Sequence, residues 1–302
     1  MARTYRLYQV DSFTTEKFTG NPAGVIPTAD GLSEQEMQII ARELNNSETA
    51  FIFSPENNDC DVHVRFFTPS REVPICGHAT VAAHYVRALE NGLGNTRVMQ
   101  KTGAGILPVD IIRDHRDFQI IMTQGKIEFG VLIGGEEKNI LLTALTIKEE
   151  DLLEHCPVQI VSTGHSKVMI GIRDCTVLNQ IQPDYGALTR LSKEVACNGY
   201  YVFAFDSSGS DVLVHGRMFA PAIGINEDPV TGNANGPLGA YLVHYKIIPH
   251  NGEVFRFSAR QGEAMGRAGT IGVEVKIEQG EPKEVKISGN AVVAFQTELV
   301  LQ

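Results

Sequence analysis

Asn226-Glu227-Asp228-Pro229-Val230-Thr231-Gly232-Asn233-Ala234-Asn235-Gly236 joins an acidic pair to a turn of small residues. An apolar segment follows over residues 237–245, and its pattern predicts a helix. Backbone N–H groups at a helix start form an anion site, and glycine lets a ligand approach the backbone closely. A carboxylate beside such a site can move protons on a bound carboxylic acid.

The same design occurs once before. Phe66-Phe67-Thr68-Pro69 leads through Pro74-Ile75-Cys76-Gly77-His78-Ala79-Thr80 into an apolar helix, as Met218-Phe219-Ala220-Pro221 leads through Asp228-Pro229 to Gly232 and another. Both read strand, Phe-x-Pro, acidic loop, small-residue turn, helix. The flanks agree in order: Glu48-Thr49-Ala50-Phe51 precedes the first copy and Gly199-Tyr200-Tyr201-Val202 the second. Further upstream, Gly20-Asn21-Pro22-Ala23-Gly24-Val25 corresponds to Thr163-Gly164-His165-Ser166-Lys167-Val168. Three landmarks kept in order predict a duplicated domain.

A chain of 302 residues is comfortable for two cores rather than one. Its 43% hydrophobic and 21% charged content is that of a soluble globular protein. A formal net charge of −10, without any dense Lys/Arg run, argues against a nucleic-acid partner. No apolar run reaches the ~20 residues a bilayer crossing needs, and the start reads as a strand rather than a signal peptide. The five cysteines are widely spaced with no C-x-x-C pair, which reads as reduced thiols in a cytoplasmic protein.

Strands are expected at residues 5–11, 49–53, 62–67, 96–100, 105–110 and 118–122, with a turn at 20–24. A helix capped by Ser33 and Glu36 is expected to run to about 44, and a second helix over 79–89. Breaker-rich residues 124–137 mark the crossover into the second half. There, helices are expected at 139–145 and 184–194 with a solvated helix start at 148–152, and strands at 160–164, 167–172, 200–206 and 213–219. The tail, 252–300, reads as four strands. Helices and strands mix without βαβ alternation, so the fold class is α+β.

Ser47-Glu48-Thr49-Ala50-Phe51, Pro74 to Thr80 and Glu227 to Gly236 resemble the PhzF family of isomerases, most closely its YddE-like branch. The likeness runs end to end. It implies the diaminopimelate epimerase-like fold: two similar lobes, each a barrel-like sheet around a central helix, with the active site in the cleft between them. The last strand would return to the first lobe, giving lobes of 1–126 plus 288–302 and of 127–287. Such enzymes often form homodimers, need no cofactor and act on a small carboxylic acid.

The resemblance implies that Glu48 carries a proton between carbons of an unsaturated cyclic acid. Carbon deprotonation needs a base tuned toward the working pH, and a closing, partly dry cleft makes a carboxylate more basic. His78, at a helix start, is expected to hold a substrate carboxylate or developing charge, and Asp228 to orient substrate or assist proton transfer. Gly77 and Ala79, with Gly232 and Asn233, are expected to meet the acid group through backbone N–H donors. Asn233 stands where the phenazine branch usually has serine, which bears on the substrate rather than the fold.

Cys76 lies where diaminopimelate epimerases carry the first of two catalytic cysteines. The second motif has Asp228-Pro229-Val230 instead of the second, so a small apolar role is expected for Cys76. His165 reads equally as a cleft residue or a cap. The nine histidines show no H-E-x-x-H, so no metal is expected. The rival functions are an amino-acid racemase with two opposed groups and a silent acid-binding protein.

Overall fold

The computed structural model describes residues 2–55, 57–115 and 117–301; the outer bounds of the expected first lobe, Met1 and Gln302, lie outside these. The chain forms two compact units, Met1–Thr123 with Ser288–Gln302, and Gln124–Ile287.

In the first unit, strand Arg3–Ser12 pairs antiparallel with both Asn21–Ile26 and Ala291–Leu301. Asn21–Ile26 runs parallel to Glu48–Phe53, which pairs antiparallel with Val62–Phe67. Val62–Phe67 takes the short strand Glu72–Val73 antiparallel and Thr96–Thr102 parallel, and the sheet continues through Gly105–Asp114 to Asp117–Thr123. Helix α1, Glu34–Leu44, opens with the expected capping box, Ser33 and Glu36 bonding reciprocally, and buries only Met37, Ile40 and Ala41. Helix α2, Gly77–Asn91, is instead central: ten of its 15 residues are buried, and the unit's strands wrap around it. Its alanines let the strands come close, and Gly92 ends it in the left-handed region.

The second unit repeats this pairing order. Gln159–Ser162 is antiparallel to Lys167–Ile172, which runs parallel to Tyr200–Phe205, itself antiparallel to Val214–Ala220. Val214–Ala220 takes the short strand Ile225–Asp228 antiparallel and Val254–Gln261 parallel, and Gly269–Glu278 follows. Helices α3 (Gly135–Ala144), α4 (Cys175–Gln180) and α5 (Tyr185–Glu194) border an apolar cluster containing Leu141, Leu178, Leu188, Ile170 and Tyr200. Helix α6, Gly232–His244, is the central one, with 11 of its 13 residues buried. The duplication is thus a duplication of topology; the α+β class is what the mix of elements predicts, and the strand-wrapped helix in each unit is what the family resemblance implies.

Several local expectations differ. Residues 20–24 are not a turn: only Gly20 is left-handed, and the strand Asn21–Ile26 begins immediately. The second "acidic loop" is the strand Ile225–Asp228. Helix α6 starts at Gly232, five residues before the proline that was expected to open it. Pro237 has no N–H for the Asn233 carbonyl four residues back, and Asn233 is where the backbone leaves helical geometry (φ −74°, ψ 15°). Residues 148–152 hold only a 3-10 turn, Glu149–Asp151, while α4 and the strand Glu128–Leu132 were not foreseen. Among the described residues, no helix is long and apolar enough to cross a membrane, and the five cysteines form no disulfide.

One buried group in α2 makes the first unit acid-sensitive. His84 is 1% exposed and its Nε2 meets Gln100 Oε1 at 2.7 Å. Burial, the dominant cause, pulls its pKa down from 6.5 to about 4. The unfolded chain therefore binds a proton that the folded chain refuses between these values, and stability falls as pH drops through that window. By linkage the loss at pH 5 is about 2 kcal/mol. Unfolding free energies from urea titrations at pH 7 and pH 5 should differ by about that much less in His84→Gln than in the parent chain.

Candidate active site

Glu48 opens the strand Glu48–Phe53 just after α1, whose cap Asn45 is left-handed (φ 52°) and reverses the chain. In the parallel pairing it stands opposite Ala23, a residue small enough to leave the carboxylate room. The Glu48 side chain is 13% exposed. Burial raises its pKa above the ordinary value, against the opposing hydrogen bonds of Ser47 and Cys76.

His78 is the second residue of α2. Its Nε2 lies 3.5 Å from Glu48 Oε2 and 3.3 Å from Ser47 Oγ, and its Nδ1 lies 3.4 Å from Cys76 Sγ. Ser12 Oγ donates to the His78 carbonyl at 2.8 Å, pinning the start of the helix to the Arg3–Ser12 strand. Cys76, in extended conformation, occupies the cap position, and no side chain caps the helix there. The first-turn N–H groups, those of Gly77 and Ala79 among them, have no intrahelical acceptor by construction.

Cys76 is buried as expected, and its sulfur also lies 3.4 Å from the imidazole Nδ1 of His78. Glu48, Cys76 and His78 bring one ligand atom each within 4.8 Å of one another. A thiol, an imidazole and a carboxylate so placed could hold a borderline-soft cation such as zinc as well as exchange protons. Metal-motif spacing gave no sign of this, because the Glu lies 28 residues before the Cys and on a different element.

In the second unit, Asp228 ends the strand Ile225–Asp228 and is buried. Its carboxylate accepts the Thr231 hydroxyl, and its backbone carbonyl accepts from Gln261 Nε2 at 2.8 Å. Gln261 also bonds Thr231 and Asn235, and Asn235 Oδ1 accepts from Tyr201 at 2.6 Å, so the turn into α6 is fixed by side chains from three strands. A Cβ on Gly236 would sit 1.9 Å from Gln124 Oε1, so a side chain there would displace that glutamine. Asn233 does not point its amide outward: Nδ2 meets His165 Nδ1 at 3.2 Å and Oδ1 accepts from Gln124 at 3.4 Å. Burial, reinforced by Lys167, lowers the His165 pKa, which suits a neutral ring whose Nδ1 accepts from Asn233.

The acidic pair of the motif is divided. Glu227 faces away from Asp228 along the strand and forms a bidentate pair with Arg217, both distances 2.8 Å. Arg217 also donates to the carbonyls of Leu178 and Ile181 and stacks over Phe219. Glu227 is therefore structural, a role the sequence reading did not separate from that of Asp228. Of the expected site residues, the fold brings Glu48, Gly77, His78 and Ala79 together in the first unit, and Asp228, Gly232 and Asn233 together in the second. Ser47 and Cys76 join the first group.

The PhzC-PhzF family pattern, described as phenazine biosynthesis-like protein, matches residues 10–297. An uncharacterized isomerase of Clostridium acetobutylicum is 67% identical over 301 residues, covering 100% of both chains. The trans-2,3-dihydro-3-hydroxyanthranilate isomerase of Pseudomonas chlororaphis is 30% identical, covering 97% of this chain and 98% of its own. The crystal structure of a Bacillus anthracis phenazine biosynthesis protein of the PhzF family superposes with a TM-score of 0.89 at 30% identity, over 99% of this chain and 100% of that one. A hydroxyproline epimerase of Agrobacterium vitis shares the fold alone, at TM-score 0.62 and 13% identity over 99% of this chain and 92% of that one. With a pattern that spans nearly the whole sequence and isomerases alike along its full length, the chain belongs to the PhzC-PhzF family.

Proposed function

We propose that the protein is a cofactor-independent isomerase that moves a proton on a small, unsaturated carboxylic acid, with Glu48 as the carrier. The observation that carries this reading is a buried carboxylate of raised pKa 3.5 Å from an imidazole at a helix start without a side-chain cap. Such a carboxylate is basic enough to take a proton from a carbon activated by a neighbouring acid group. The electron pair left behind delocalises toward the acid group and the double bond. His78 Nε2–H and the first-turn N–H groups of α2, Gly77 and Ala79 included, meet the charge that develops. The protonated Glu48 then returns the hydrogen to a different carbon on the same face.

The name of the Pseudomonas relative supplies the substrate class: a dihydro, hydroxylated cyclic amino acid whose ring double bonds can shift. Asp228, held by Thr231, is assigned to orienting substrate or assisting the transfer, with Gly232 and Asn233 supplying acid-group contacts through their backbone. A cytoplasmic homodimer is the proposed working form.

One carrier is favoured over two opposed bases because the duplication does not repeat Glu48. Thr49 and Tyr200 occupy equivalent places, opposite Phe67 and Phe219, so the counterpart of Glu48 is Gly199. The test is proton NMR in D₂O with trans-2,3-dihydro-3-hydroxyanthranilate and a panel of cyclic and open-chain unsaturated acids. The expected result is a double-bond shift in which part of the migrating hydrogen comes from substrate. Complete solvent exchange at one stereocentre would select the racemase instead, and binding without exchange would select a silent binder.

A further inference from the structure

Each unit has the same parallel pair of strands, and the residues at its start differ in a reciprocal way. In the first unit, Ala23 stands opposite Glu48. In the second, Val168 stands opposite Tyr200, with Val168 N donating to Gly199 O at 2.9 Å, so by register the preceding residues Lys167 and Gly199 take the places of Ala23 and Glu48, one place away from the sequence correspondence that matched Lys167 with Gly24. A small residue opposite an acid has become a base opposite a glycine. Gly199 has no room for a side chain: a Cβ there would lie 2.7 Å from Phe219 O, 3.0 Å from Ala220 Cβ and 3.2 Å from Lys167 Cδ, so the lysine stem passes alongside the glycine.

Lys167 is 3% exposed, an extreme value for a lysine. Its ammonium has three donors, and the Ser166 carbonyl at 3.3 Å is the hydrogen-bond acceptor it reaches among the described residues. The Asp228 carboxylate favours its charged form, and His165 lies near enough to feel it. Burial outweighs those influences and brings the Lys167 pKa down to about 8, so the cation persists at neutral pH. Gly164 is exposed and His165 and Ser166 are half-buried, so the cation lies just beneath an accessible turn. A buried charge kept with so few acceptors suits a site that an anion completes.

We propose that Lys167 is a binding residue for the carboxylate of an organic acid in the second unit, the charge-reversed counterpart of Glu48. The inference rests on the acid-substrate reading above and adds to it a cationic contact in the second unit. Lys167 neutralises the acid group, and Asp228, on the same unit, keeps the ammonium charged in the ligand-free protein.

The test uses the full chain labelled with [ε-¹³C]lysine, the Lys167 signal being identified by its loss in Lys167→Met, and benzoate as the probe. A saturable shift of that signal is expected, with benzoate binding weakened about 10- to 100-fold in Lys167→Met, the range for a hydrogen bond to a charged group. Benzamide, which lacks the charge, should bind both proteins equally. Replacing a buried ammonium by a thioether of similar shape should leave thermal unfolding unchanged or raised, so weakened binding cannot be ascribed to misfolding. A Lys167 signal indifferent to benzoate, or undiminished binding in Lys167→Met, overturns the proposal. Its fate is separable from that of the catalytic reading: a saturable shift without any proton exchange sustains the site and defeats the isomerase, whereas exchange without a shift does the reverse.

Discussion

Glu48→Gln should lower the rate of isomerisation and of substrate deuterium exchange by about 10²–10⁴-fold, the span lost with a positioned acid–base group, while leaving acid binding near that of the parent chain. The same variant should melt at a higher temperature. Burial is the main influence on Glu48 and raises its pKa above 4.5. The ionised side chain thus costs stability at neutral pH, and the cost fades as pH falls through the folded-state pKa. Glutamine keeps the shape and carries no charge to desolvate. For the same reason the acidic limb of kcat/KM should have its midpoint above the ordinary glutamate range. A Glu48→Gln enzyme that exchanges deuterium at the parent rate, or that melts lower with its activity intact, would remove Glu48 from the mechanism.

Glu227→Gln should destabilise the second unit by about 3–5 kcal/mol, because it strands a buried guanidinium. Arg217 and Glu227 side chains are only 8% and 11% exposed, and Arg217 holds two carbonyls at the end of α4 besides the carboxylate. Breaking the pair therefore loosens the link between α4 and the strand that ends in Asp228. Exchanging both partners for methionine should cost far less, since no charge is left behind. Urea unfolding of the three proteins reads this directly. If Glu227→Gln unfolded like the parent but lost turnover, the first member of the acidic pair would belong to the chemistry after all.

The sequence made legible what depends on periodicity and on local chemistry. The Ser33–Glu36 capping box and the buried helices after each Phe-x-Pro follow from patterns of a few residues. Glu48 and His78 were found because each sits in a short, specific motif, and their 3.5 Å approach follows from the strand start meeting the helix start. What escaped depends on facing. Alternation along Ile225–Asp228 sends Glu227 and Asp228 to opposite sides, but a four-residue strand rich in acids gives no strand signal. The apolar run from Pro237 suggested that the helix begins there, whereas Pro237 sits inside α6 and the break falls at Asn233. Lys167 looked like an ordinary strand-edge lysine until register set it against Gly199. Cys76 looked apolar because spacing says nothing about the ring that curls back toward its sulfur.

The pairing of Arg3–Ser12 with Ala291–Leu301 has a consequence for how the molecule is made. A ribosome releases residue 3 long before residue 301, so the nascent first unit lacks a bordering strand until residues 291–301 have been made, by which time residues 124–287 are complete. The later segment is free to collapse first, and the strand pair that borders Asn21–Ile26, and through it Glu48, closes last. The final placement of Glu48 thus waits on residues 291–301, which are made long after the strand that carries it.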